Sequence, residues 1–159
     1  MSDAPRKCML LAMSGDFDHA FAVFSIASSA AAMGMETTVF FTFWGLKAIQ
    51  RGNFTGKGLF GRMVGVLNRG GIERIGPSKF NFGGIGRWMF KKMMKDKGVT
   101  ALTELRQQCI ELGVKFLACK TSLDVMEITE EDLIPEVTAV VGAATMIAAT
   151  ENSQFQFFI

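Results

Sequence analysis

Histidine and cysteine are scarce in this chain: 159 residues hold one histidine, His19, and three cysteines. A single imidazole excludes metal sites built on several histidines and leaves His19 as the sole base available to a Cys/His dyad. Cys8, Cys109 and Cys119 are odd in number and lack CxxC spacing, which argues against a disulfide framework or a zinc knuckle. No metal site and no organic cofactor is expected. The opening MSDAPRKCMLL has too short an apolar stretch, and no small-residue cleavage site, for a secretory signal. The expected setting is the reducing cytoplasm.

Long hydrophobic runs are also missing. The two uncharged stretches, 20–35 and 137–150, span 16 and 14 residues, below the ~18 apolar residues of a membrane-crossing helix. Both are rich in Ala, Ser and Thr, which suits helices packed closely on a sheet. No spanning segment is expected.

What is present is a pattern of short apolar strands separated by helices. Lys7–Met13 is an apolar run ending at Ser14-Gly15, and Asp16 is placed to cap a helix over Phe17–Met33. Glu36–Trp44 is rich in β-branched and aromatic residues. Residues 100–112 show the helical period, and Val114–Cys119 is again a strand. A short helix near Ser122–Met126, a polar turn at EEDLI, a helix over Ala139–Thr150 and a strand over Gln154–Phe158 complete the order. This predicts an α/β fold: a flavodoxin-like three-layer sandwich around a mostly parallel sheet. Reactive groups in such folds gather at the carboxyl ends of strands, where Ser14, Gly15 and Cys119 lie.

Charge is strongly segregated. Residues 47–97 carry 12 Lys or Arg against Glu73 and Asp96, whereas the rest of the chain carries five basic and 13 acidic residues. Most of the 17 glycines fall in the same span, with Phe54, Phe60, Phe80, Phe82, Trp88 and Phe90. The expected organisation is one domain, 1–159, with 47–97 as a basic, glycine-rich insertion. Within it, GRWMFKKMMKDKG gathers Trp88, Met89, Met93 and Met94 on a helix, with Lys91, Lys92 and Lys95 elsewhere. Trp88 and these lysines are candidates for docking on an anionic membrane or a partner groove. A glycine-rich hairpin packed on a neighbouring subunit, with solvated lysines, is the plainer alternative. GKGLFG, 56–61, matches the dinucleotide pattern GxGxxG but follows the second strand and precedes no strand bearing a ribose-binding acid. No nucleic-acid reading module accompanies the basic charge, so nucleic acid is not an expected partner.

Cys119 is the candidate reactive thiol. It ends a strand and precedes Lys120-Thr121-Ser122, whose amides open a helix and favour a thiolate, with Lys120 placed to add positive charge. Cys8 and Cys109 sit on apolar faces, where burial is the usual fate of free cysteine.

The run LGVKFLACKTSLDVMEITEEDLIPEV, with VVGAATMIAAT and QFQFFI, resembles the DsrE/DsrF-like sulfur-relay superfamily, in particular its DsrE-related branch often labelled peroxiredoxin-family. KCMLLAMSGDFDHAFAVFSIASSAAAMGMETTVFFTFWGL fits the same branch, so the resemblance covers nearly the whole chain. Lys120-Thr121 departs from a more apolar pair, and Glu127 stands where the branch tends to have glycine.

The resemblance implies a homo- or hetero-oligomeric subunit that carries sulfane sulfur as a persulfide on Cys119 and passes it to another carrier, such as a TusA-like protein. Ser14, Gly15, Asp16, Lys120, Thr121 and Ser122 are the pocket candidates it implies. Whether the chain is a sulfurtransferase or a stoichiometric carrier stays open. Asp16 is also read as a plain helix cap and His19 as structural. The competing reading is an assembly module, possessing an incidental thiol, that docks through 47–97 to a membrane surface or partner protein. A thiol peroxidase fits less well, because no TxxC setting and no resolving cysteine are evident.

Overall fold

A computed structural model describes residues 6–159. Five strands, β1 (Lys7–Ala12), β2 (Glu36–Phe41), β3 (Lys115–Cys119), β4 (Val137–Val141) and β5 (Ser153–Phe158), form one sheet in the order β4-β3-β2-β1-β5. Every pairing is parallel. The helices are α1 (Phe17–Ala32), α2 (Leu59–Leu67), α3 (Ile85–Asp96), α4 (Leu102–Glu111), α5 (Lys120–Val125) and α6 (Ala143–Thr150). This is the expected flavodoxin-like α/β arrangement.

The alternation of side chains along each strand sends two residue sets to opposite faces. Leu10, Val39, Phe41, Phe116 and Ala118 join Val23, Phe24, Leu105 and Cys109 of α1 and α4 in the larger core. At its centre, Phe24, Phe41 and Phe116 form an aromatic trio with ring centroids 5.4 to 6.0 Å apart. Met9, Phe40, Leu117 and Cys119 face the other way and meet Met146 of α6 in a smaller core. Cys119 thus lies on the thinly covered face.

Two sequence expectations are corrected. Ala139–Val141 belongs to β4, and the helix begins only at Ala143, with Gly142 in extended conformation as its N-cap. An unbroken uncharged run hides that junction, because buried strand and buried helix share no distinguishing period. The segment 47–97 is not a hairpin: it contains no strand, but α2, α3 and short 3-10 turns. LFGRMVGVL and IGRWMFKKMMKD supply enough helix-favouring Leu, Met, Arg and Lys to offset their glycines.

The basic segment is tied to the frame by main-chain and side-chain bonds. The Phe17 amide donates to Gly76 O at 2.8 Å, Arg51 N to Asp132 O at 2.8 Å, and Ile134 N to Ile49 O at 2.9 Å. Asp18 accepts from the amide and hydroxyl of Ser78. Phe90 of α3 packs on Phe17 at 5.9 Å between centroids.

Candidate functional site

Cys119 is the last residue of β3 and the N-cap of α5. Register places it beside Val141 of β4. Because Phe41 pairs with Ala118, the next residue of β2, Thr42, falls beside Cys119 on its other flank. One turn into α5, Ser122 is almost fully buried, and its hydroxyl lies 2.8 Å from that of Thr42. Cys119 as a residue is 8% exposed and so is buried.

Burial alone would raise the Cys119 pKa. Hydrogen bonds from the Ser122 hydroxyl and amide, the Thr42 hydroxyl and the Thr121 amide outweigh it, and the thiol sits below its ordinary value. The other two cysteines go the opposite way. Burial raises Cys8, and it pushes Cys109 up to about 12 despite a bond from the Ser28 backbone. The Cys109 thiol donates to Phe24 O at 3.4 Å inside the larger core. Of the three thiols, only that of Cys119 is held below its ordinary value.

The pocket candidates divide. Thr121 and Ser122 contribute directly through the bonds above. Lys120 is exposed and turns to Asp124, 2.5 Å from its carboxylate, so its charge is spent on a neighbour one turn along α5. Ser14, Gly15 and Asp16 follow β1, which is two strands from β3 and hence roughly 10 Å away. Asp16 caps α1 by accepting from the His19 amide at 3.1 Å and holds the His19 ring at 2.7 Å. Gly15 is required by packing, since a Cβ there would stand 2.6 Å from Trp44 O. Thr42 escaped the sequence reading. Its signal exists only in strand order and register, which bring the residue after β2 against the end of β3.

In the basic segment, Trp88 is 67% exposed, and Met89 and Met93 lie open beside it, but Met94 turns inward against the larger core. Lys92 pairs with Asp96 at 3.1 Å. Lys91 donates to Glu73 O at 3.0 Å, and Lys95 lines a cavity between α3 and α4.

The GKGLFG stretch does cradle an anion, one supplied by the chain itself. Glu127 accepts from the amides of Lys57 and Gly58, the latter at 2.7 Å, at the N-terminus of α2. Those two amides, Gly58 first, hold its carboxyl below the ordinary glutamate range. A Cβ at Gly61 would collide with the same carboxylate. Glu127 itself has φ +52°, the left-handed conformation that glycine adopts most readily.

Comparison with known proteins agrees with this frame. The profile of the DsrE/DsrF/DrsH-like family matches residues 4–158. The chain is 34% identical over 161 residues to the uncharacterized protein YrkE of Bacillus subtilis, covering both proteins completely. It is 32% identical over 150 residues to the sulfur carrier protein DsrE2 of Allochromatium vinosum, covering 92% of this chain and 94% of that one. Among solved structures, the ychN protein of E. coli superposes with a TM-score of 0.56 at 11% identity, covering 97% of this chain and 99% of that one. MTH1491 of Methanobacterium thermoautotrophicum, of unknown function, gives 0.54 at 13% identity, with 96% and 98% covered. These two likenesses concern the fold.

Proposed function

The chain belongs to the DsrE/DsrF/DrsH-like family, and from that premise we propose that it is a sulfur carrier working through Cys119. The observation that carries the reading is the contrast among the thiols: Cys119 alone is held below its ordinary pKa, by donors converging from two strand ends.

The chemistry needs no redox partner. The Cys119 thiolate attacks the outer sulfur of a donor persulfide; the donor S–S bond breaks, its thiolate leaves, and Cys119 becomes the persulfide. A partner thiolate then attacks the outer sulfur and Cys119 leaves as thiolate, its charge met again by Thr42, Ser122 and the α5 amides. A small carrier protein of TusA-like type is the proposed acceptor, and the cytoplasm the proposed setting. Segment 47–97 is proposed as an insertion within a single 1–159 domain. The edge strand β5, with Phe155 and Phe158 exposed, supports pairing with a second copy, which sedimentation velocity tests.

Intact-protein mass spectrometry after polysulfide treatment tests the carrier role. Mass gains of whole sulfur atoms are expected in the wild type and in Cys8→Ser/Cys109→Ser, and none in Cys119→Ser. Loading that ignores Cys119 would make that thiol structural.

A second reading rests on the surface of α2, α3 and the turn that leads into α3. Leu59, Phe60, Leu67, Phe80, Phe82 and Trp88 are all more than two-thirds exposed on the most basic part of the chain. No helix among the described residues is long and apolar enough to cross a membrane. This surface is proposed to lie on an anionic bilayer, bringing the carrier to its donor. Co-sedimentation with phosphatidylglycerol vesicles, lost in Phe60→Ser/Trp88→Ser and retained in Cys119→Ser, is the expected outcome; equal sedimentation of all three would overturn it.

A further inference from the structure

A second concave site lies apart from Cys119, where the basic segment meets α4. It is a cleft of about 760 Å³, within the ~300–1,000 Å³ of small-molecule sites. Its wall carries Arg51, Arg69, Arg74, Arg87, Lys91 and Arg106, and Glu73 is its single acidic residue. These cations come from five places in the chain, the loop after β2, the loop after α2, the 3-10 turn at Ile72–Arg74, α3 and α4, so the fold assembles them.

Five of the six are held by main-chain carbonyls. Arg51 Nε donates to Leu133 O at 2.6 Å and Arg69 Nε to Gly52 O at 2.6 Å. At 3.0 Å each, Arg87 Nη1 donates to Arg74 O, Lys91 Nζ to Glu73 O, and Arg106 Nη1 to Ala48 O. In the four arginines each such bond uses one of the five guanidinium N–H donors, and in Lys91 one of three ammonium donors, fixing the direction of the group and leaving its other donors free. Among the described residues, no carboxylate forms an ion pair with any of the six.

Like charges gathered this way repel. Lys47, behind the cleft, has its pKa lowered by burial and by the charges of Arg87 and Arg74. Burial likewise lowers Arg106, against the opposing pull of Glu136 and Glu73. A bound anion would remove the repulsion and find its donors already oriented.

We propose that this cleft binds a small anion bearing two or more phosphate-type groups. Fixed forks suit tetrahedral oxyanions, and six cations against one carboxylate exceed what a single carboxylate ligand would neutralise. The ligand could be a free phosphorylated molecule or a lipid headgroup, which present the same chemistry. The site is independent of the thiol.

Isothermal titration with inorganic pyrophosphate, at low salt, tests it on the full chain. Arg74→Gln and Lys91→Gln remove exposed side chains whose loss leaves the core intact, and thermal unfolding checks that they fold. Each is expected to weaken binding by about tenfold, the worth of one charge-assisted hydrogen bond. Lys57→Gln/Lys79→Gln removes charge outside the cleft and is expected to leave the affinity nearly unchanged. A parallel arm measures binding to phosphatidic acid vesicles. Vesicle binding with the same variant losses but no pyrophosphate binding assigns the site to a lipid headgroup. Absence of binding in both arms, or equal losses in cleft and control variants, overturns the proposal.

Discussion

The centre of the sheet frame and the surface of the segment 47–97 dispose of their aromatic side chains in opposite ways. In the frame, Phe24, Phe41 and Phe116 are buried and touch one another, and the surrounding chain is net acidic. In the segment, Phe60, Phe80, Phe82 and Trp88 stand open to solvent amid a surplus of positive charge. Burial in the frame stabilises the fold and fixes the geometry that lowers the Cys119 pKa. The exposed set buries little within the subunit beyond the contact of Phe80 with Phe82, and it leaves apolar area open on the surface. Buried and exposed aromatic area are thus concentrated in two different parts of one chain.

The stability side of that division gives the largest expected effect. Phe116→Ala should cost about 3–5 kcal/mol through the cavity left in the aromatic trio, whereas Phe80→Ala should fall within about 0.5 kcal/mol. Urea unfolding of both variants measures the contrast, and similar losses would break it. Next comes the thiol. Thr42→Val and Ser122→Ala each remove a donor that lowers the Cys119 pKa, so the midpoint of its alkylation rate against pH should rise. The same profile should be unmoved by Trp88→Ala. A midpoint insensitive to Thr42 would mean that the strand-end geometry does not govern the thiol.

The smallest effect concerns Glu127. Its folded pKa is lowered, so its hold on the α2 amides is complete above the ordinary glutamate value and lost as pH falls through the lowered one. The protection factors of the Lys57 and Gly58 amides, exchange corrected for its intrinsic slowing in acid, should therefore fall on acidification, and already at neutral pH in Glu127→Gln. Protection there that ignores both changes would show the segment to be anchored by its other bonds alone.

Much of the frame was legible because its periods differ: β1, β2 and β3 are short and apolar, and α1 opens at Asp16 and ends before Gly34. Cys119 was legible as a strand end followed by small polar residues. Thr42 was not, since nothing local to residue 42 marks it as the neighbour of residue 119. Lys120 looked like a charge partner for the thiol until its bond to Asp124 took that charge elsewhere. The occupant of GKGLFG was hidden for the same reason as Thr42: Glu127 lies some 70 residues downstream. In each case the missing information was pairing at long range, while the residue types themselves were in plain view.

That glycine loop has one more consequence. Glu127 stands two residues beyond α5, and Cys119 immediately precedes the same helix, so six helical residues join the loop's anchor to the thiol. Glu127, beyond the far end of α5, accepts from the amides that open α2, while the near end supplies the Thr121 and Ser122 amides to sulfur. The anchor of the α2 amides and the donors to the Cys119 sulfur thus sit at the two ends of one short helix.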